Sequence, residues 1–222
     1  MKRKLLSILC STKLKYSFII LFLLFLFVGV SAISYANTVS NQIANGVFRL
    51  HVIANSDSDE DQNLKYIVRD AILSHINEIG KTASSKEELV NMLDLTDIQN
   101  IAKQTILNQG YDYDVSVEIG NFSFPTKTYG DISLPAGFYD ALRVKIGSAN
   151  GHNWWCVMFP PLCFVDVSSG IVPAESKESL QSSMDTEEYQ LISNQDNNEI
   201  KFKFKLVELL QNFGTQIASD KK

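Results

Sequence analysis

No acidic residue occurs before Asp57, and the whole chain holds only three histidines, three cysteines and two tryptophans. Each scarcity closes off a class of function. Histidines and cysteines are few, and no two of them have the tight spacing of a zinc ligand pair, so no metal centre is expected. A Ser-His-Asp arrangement, a Gly-rich phosphate loop and a paired-carboxylate pattern are all absent, so no cofactor and no catalytic role is expected either. No internal repeat is evident. Basic residues number 20 against 25 acidic ones, a net charge of −5, which makes nucleic acid a poor partner.

What is there begins with the leader. Lys2, Arg3, Lys4, Lys13 and Lys15 precede an apolar run from Phe18 to Val30, broken only by Gly29, and small residues follow as Ser31-Ala32-Ile33-Ser34-Tyr35-Ala36. This is the order of a secretory signal, with Ser34 and Ala36 three and one positions before a cut and Asn37 as the mature start. The alternative is an uncleaved anchor, because the run from Ser17 to Ile33 reaches the lower limit for a spanning helix. Under both readings the basic end stays inside and the rest is exported, as a secreted or membrane-anchored protein. If uncleaved, the apolar segment is the membrane contact. Cys10 precedes the apolar run and is not placed for lipid attachment. Removing residues 1–36 takes away five of the 20 basic residues and no acidic one, which moves the net charge from −5 to −10. Such a domain suits a basic partner surface.

Four regions are expected: a leader over 1–36, a linker over 37–46, a core domain over 47–172, and a mobile polar segment from 173 that leads to a C-terminal strand and helix before 222. Within the core, alternation predicts a strand from Phe48 to Ala54, with Phe48, Leu50, Val52 and Ala54 on one face and Arg49, His51 and Ile53 on the other. Ser58 is a candidate cap, with Asp59, Glu60 and Asp61 at the positive end of a helix. That helix carries an apolar stripe at Leu64, Ile67, Val68, Ala71, Ile72, His75, Ile76 and Ile79, and Gly80 ends it. Ser85 and Glu88 form a capping box for a second helix, and a third begins near Thr96 and stops at Gly110.

After Gly110 the period changes from near 3.6 to 2. Strands are predicted over Val115–Ile119, Ala141–Ile146 and Trp154–Phe159, the last two as a hairpin, while Phe122, Phe124 and Tyr129 suggest an edge strand or covering flap. Helices and strands do not alternate as in a doubly wound sheet. The expected fold is α+β, a mainly antiparallel sheet with helices packed on one face.

The stretch from Gly151 to Asp166 holds both tryptophans, two of the three cysteines and two of the five prolines. Pro160-Pro161 must end the strand before them, and a second apolar run follows from Leu162 to Val167. In an exported domain Cys156 and Cys163 have two possible states, a disulfide across the proline corner or two buried thiols. A thiol hydrolase acting on cell-wall or peptide substrates through Cys156 and a histidine is the alternative function. Against it, His152 and Cys156 on one strand lie about 13 Å apart, beyond the reach that activation requires. Asp57, Asp59 and Asp61 resemble the start of a calcium loop, but its glycine and its bidentate glutamate are missing.

Three blocks carry a family resemblance: Phe48-Arg49-Leu50-His51-Val52-Ile53-Ala54-Asn55-Ser56-Asp57, Gly137-Phe138-Tyr139-Asp140-Ala141-Leu142-Arg143-Val144, and the Gly151–Asp166 stretch. Together they resemble the stage II sporulation protein R family, strongly from Val47 to Asp166 and weakly elsewhere. The resemblance implies a signalling protein of endospore-forming bacteria, exported from the forespore into the space between the septal membranes. There such proteins activate the membrane-embedded aspartic protease that cuts pro-sigma E. The partner it implies is that protease. Arg49, His51, Asn55, Asp57, His152, Asn153, Trp154 and Trp155 are the candidate contact surface. Of the two tryptophans, alternation turns one inward, and that one belongs to the core.

Overall fold

The computed structural model describes residues 12–163 and 172–193. Two units divide them, one holding the N-terminal helix up to Val39 and one beginning at Ser40. Helix α1 (Thr12–Asn45) is long and apolar enough to cross a membrane. Its large side chains from Phe18 to Phe27 are all exposed, and a helix apolar on every side is suited to lipid. This is compatible with secretion or with anchoring. Residues 37–46, expected as a linker, continue the helix to Asn45. The last turn is helical because it is buried: Ile43 and Ala44 are inside the second unit, and Ser40 Oγ donates to the Ala136 carbonyl.

In the second unit, β1 (Phe48–Ile53) is followed by α2 (Asp59–Ile79), a 3-10 turn (Gly80–Thr82), α3 (Lys86–Met92) and α4 (Leu95–Asn108). Ser58 caps α2 by accepting from the Asp61 amide, and Leu64, Val68, Ile72 and Ile76 form its buried stripe. Ser85 caps α3 through the Glu88 amide, while the Glu88 carboxylate reaches back to Ser84. Asp94, rather than Thr96, caps α4. Gly110 takes the left-handed conformation, φ 84°, that ends it.

Strands β2 (Val115–Phe124), β5 (Gly137–Ile146) and β6 (Asn153–Phe159) complete a sheet of order β2-β5-β1-β6, and β3 (Lys127–Tyr129) with β4 (Ile132–Leu134) forms a separate hairpin. The fold is α+β, as expected. The sheet is mixed: β1 runs parallel to β5, pairing Leu50 with Leu142, and antiparallel to β6, pairing Leu50 with Cys156. The expected β5–β6 hairpin is therefore not formed, because β1 lies between them. Residues 147–152 instead cross the end of β1, roughly 10 Å over two strand spacings.

One sheet face packs on α2 and α4 through Phe48, Leu50, Val52, Leu142, Val144, Ile146, Cys156 and Met158. The opposite side is covered as well. Ile132 and Leu134 of the hairpin are fully buried. Residues 173–193, expected to be mobile, form α5 (Ala174–Ser182) and α6 (Thr186–Ser193). Their few apolar side chains suffice, since Leu180 and Ile192 are fully buried and Lys177 pairs with Asp131 of the hairpin turn. The expected strand and helix beyond Ile200, and most of the Leu162–Val167 run, lie outside the described residues.

Candidate functional site

The acidic loop after β1 and the loop before β6 are joined. Asn55 Oδ1 accepts from the Ser148 amide and hydroxyl, both at 2.9 Å, and its carbonyl accepts from the Asn150 amide at 3.1 Å. The Ala54 carbonyl accepts from the Gly151 amide at 3.0 Å. Asp57 accepts from the His152 amide at 2.6 Å and pairs with its Nδ1 at 2.5 Å. Glycine is required in this junction, since a Cβ at Gly147 would overlap Asn55 and one at Gly151 would overlap the Ser56 carbonyl. Behind it, Asp61 accepts from Asn55 and Ser56. Burial pushes the Asp61 carboxyl up, but these bonds and one from Tyr113 outweigh it and hold the group below its ordinary range. Asn55, a candidate contact residue, thus acts chiefly as a tie between loops. Asp57 and His152 are exposed.

Arg49, expected on a polar surface, is fully buried. The β3–β4 hairpin covers it: Nη2 donates to the Tyr129 hydroxyl at 2.8 Å, and the guanidinium lies 4.2 Å from the Phe124 ring centroid and 4.6 Å from that of Tyr139. Among the described residues it meets no carboxylate. Burial pushes the Tyr129 and Tyr139 hydroxyls up, with Arg49 pulling the other way. His51 is 8% exposed, shares a 2.7 Å hydrogen bond between Nε2 and Asn153 Oδ1, and stacks on Trp155 with ring centroids 5.7 Å apart. Burial lowers its pKa; the Asn153 bond opposes this, and Arg143, Arg49 and Lys145 add to it. The imidazole is neutral at neutral pH.

Neither tryptophan is core alone. Both are half-buried, because β6 is the last strand of its sheet and each face has an open side. Trp154 meets Tyr66 edge-on at 5.4 Å and has the Arg69 guanidinium 4.3 Å from its ring centroid, on the α2 side. Trp155 lies on the hairpin side, with Lys127 Nζ 4.7 Å from its ring centroid. The expected surface therefore separates into an exposed pair (Asp57, His152), an exposed Asn153, Asn55 tied between two loops, two partly covered rings, and an interior arginine and histidine, Arg49 and His51, which the hairpin side encloses.

Cys156 and Cys163 form a disulfide with a Cα separation of 5.1 Å, the first of the two states open to them. A hydrolase working through Cys156 lacks a free thiol here. His51 lies on the opposite sheet face from Cys156, and His152 is engaged with Asp57. Among the described residues no cluster of three His, Cys, Asp or Glu side chains gathers. Tyr129 and Phe124 were partly signalled by their aromatic spacing. Arg69 and Lys127 carried no such signal, since a single cation on a helix or short strand looks like solvated surface.

The three blocks that carry the family resemblance are three adjacent strands, β5, β1 and β6, with the loops that join them. A family profile described as stage II sporulation protein R matches residues 44–169. The chain is similar to a Bacillus subtilis (strain 168) protein named stage II sporulation protein R, 41% identical over 165 residues, covering 72% of this chain and 74% of the relative. No solved structure matches.

Proposed function

Because the chain belongs to the stage II sporulation protein R family, we propose that this sporulation protein is an intercompartmental signal of endospore formation, exported from the forespore into the space between the septal membranes. It acts there as an activating ligand for the membrane-embedded aspartic protease that processes pro-sigma E, and it supplies recognition rather than catalysis. The observation that carries this reading is the similarity itself, which extends through the β5-β1-β6 strands and the Asn55–His152 junction. That junction supports a recognition role in physical terms. A surface braced by hydrogen bonds between two loops keeps its shape, so little ordering is needed when a partner docks. The test is co-expression of the full chain with the sigma E precursor and its protease in a non-sporulating host. Cleavage is expected only when the chain is present, and a double Cys156→Ser, Cys163→Ser variant that remains exported should retain it. An exported wild-type chain that elicits no cleavage would overturn the reading.

A further inference from the structure

The open edge of β6 runs along the floor of a groove of about 560 Å³. Among the described residues no strand pairs with that edge, since β6 ends the order β2-β5-β1-β6. Toward β1, the ladder pairs Trp154 with Val52 and Cys156 with Leu50. The Val157 carbonyl is taken outside this ladder by the Leu162 amide at 3.0 Å, and the Trp155 carbonyl accepts from the Tyr129 hydroxyl at 3.3 Å. Main-chain direction alternates along a strand, so the odd-numbered residues of β6 turn their peptide groups off the sheet. From Val157 onward the edge is closed by the turn that the Cys156–Cys163 disulfide fixes. At Asn153 and the Trp155 amide it is open to the groove, while the Tyr129 hydroxyl covers the Trp155 carbonyl.

Two elements wall this stretch. On one side α2 brings Arg69, and on the other the β3–β4 hairpin brings Lys127. Each cation lies over one of the two tryptophan rings, at 4.3 Å and 4.7 Å. Asp70 is the acidic residue of the groove lining, and it is bound to Arg69 at 2.7 Å. In a chain with a net charge of −5, Lys127 thus stands in the groove without an ion-pair partner among the described residues, while Arg69 shares its charge with Asp70. A strand laid along β6 would send successive side chains to opposite walls, and so to both cations.

We propose that this edge is a β-addition site, which takes up an extended, acidic segment of the partner protein as a fifth strand beside β6. Main-chain hydrogen bonds to Asn153 and to the Trp155 amide would hold it, and Lys127 and Arg69 would select acidic side chains. The proposal rests on the preceding one in taking a protein as the partner, and it names the surface and the chemistry of the contact.

The test uses the full chain, co-expressed with the sigma E precursor and the protease, with a photo-crosslinking residue at Thr128 in the hairpin wall or, as the comparison, at Asp97 on exposed α4. A crosslink to the protease from Thr128 and none from Asp97 is expected. Lys127→Glu and Arg69→Glu should each lower precursor cleavage about tenfold, whereas Asp97→Lys should leave it at the wild-type level. The crosslink judges the groove even for a variant that folds poorly, because the Thr128 chain keeps both cations. Absence of cleavage by the wild-type chain counts against the activating role, whatever the crosslinks show. A Thr128 crosslink that runs to a second copy of this chain, to its own C-terminal residues or to nothing overturns the groove, as does wild-type cleavage by both charge-reversed variants.

Discussion

The two faces of the central sheet are closed by different means and bury different chemistry. On the face toward α2 and α4 the strands contribute Leu50, Val52, Leu142 and Val144, all fully buried against aliphatic helix stripes. On the face toward the hairpin β1 contributes Arg49 and His51, which lie among Phe124, Tyr129, Tyr139 and Trp155. Alternation along β1 separates the two sets, but only the covering element decides whether the second set meets water. Hydrophobic transfer and close packing stabilise the helix face. The hairpin face depends on hydrogen bonds and ring contacts around a desolvated cation, whose individual contributions are smaller and whose cost of desolvation is larger.

The sharpest way to break this contrast is to substitute neighbouring residues of β1. Leu50→Ala should cost about 3 kcal/mol in denaturant unfolding, because the packed helix face cannot collapse around the cavity. Arg49→Met should cost less than about 1 kcal/mol, since losing the ring contacts is offset by no longer desolvating a cation that lacks a carboxylate. Equal costs would show that the arginine is as integral to its face as the leucine is to the other. Cys163→Ser, which opens the short loop at the edge between the faces, should lower stability by about 2 kcal/mol. A reducing agent should reproduce that loss in the wild-type chain and add nothing to the variant.

A smaller effect sharpens the account of the hairpin face. Tyr129→Phe should cost about 1 to 2 kcal/mol, because Arg49 Nη2 and the Trp155 carbonyl both lose their partner while remaining covered. In the Arg49→Met background the same change should cost less, since only the carbonyl is then left. The smallest expected effect is a pH slope. The folded-state pKa of His51 lies below its ordinary value of 6.5. On acidification the unfolded chain therefore takes up this proton first, so His51 contributes stability above about pH 6.5 that is lost as pH falls below it. Unfolding free energies measured from pH 7.5 to 5 should decline, and His51→Phe should flatten the decline. An unchanged slope in that variant would place the titration elsewhere.

Much of the fold was legible, because its signals are local. The Ser58 and Ser85 caps, the α2 stripe and the left-handed Gly110 each depend on residues within a few positions of one another. The face assignment of β1 was equally local and is observed. Strand order was not legible: nothing near Ile146 or Trp154 announces that β1 will lie between them. The candidate surface divides along the same line. Asp57, His152 and Asn153 are exposed as a polar loop suggests, whereas Arg49 is buried by a hairpin whose strands, three residues each, are too short to display a period.

Local sequence pattern specifies the apolar N-terminal helix, the Ser58 and Ser85 caps and the Gly110 stop, the two faces of β1, and the family to which the chain belongs. Helix caps and periodic burial are properties of neighbouring residues, and any compact arrangement must respect them. Tertiary structure alone decided that β1 is central, that Cys156 reaches Cys163, that Arg49 is enclosed and that the edge of β6 is left open between two cations. Each of these depends on which distant segment arrives at a given surface, and that is set by the packing of the whole domain rather than by any stretch of chain within it.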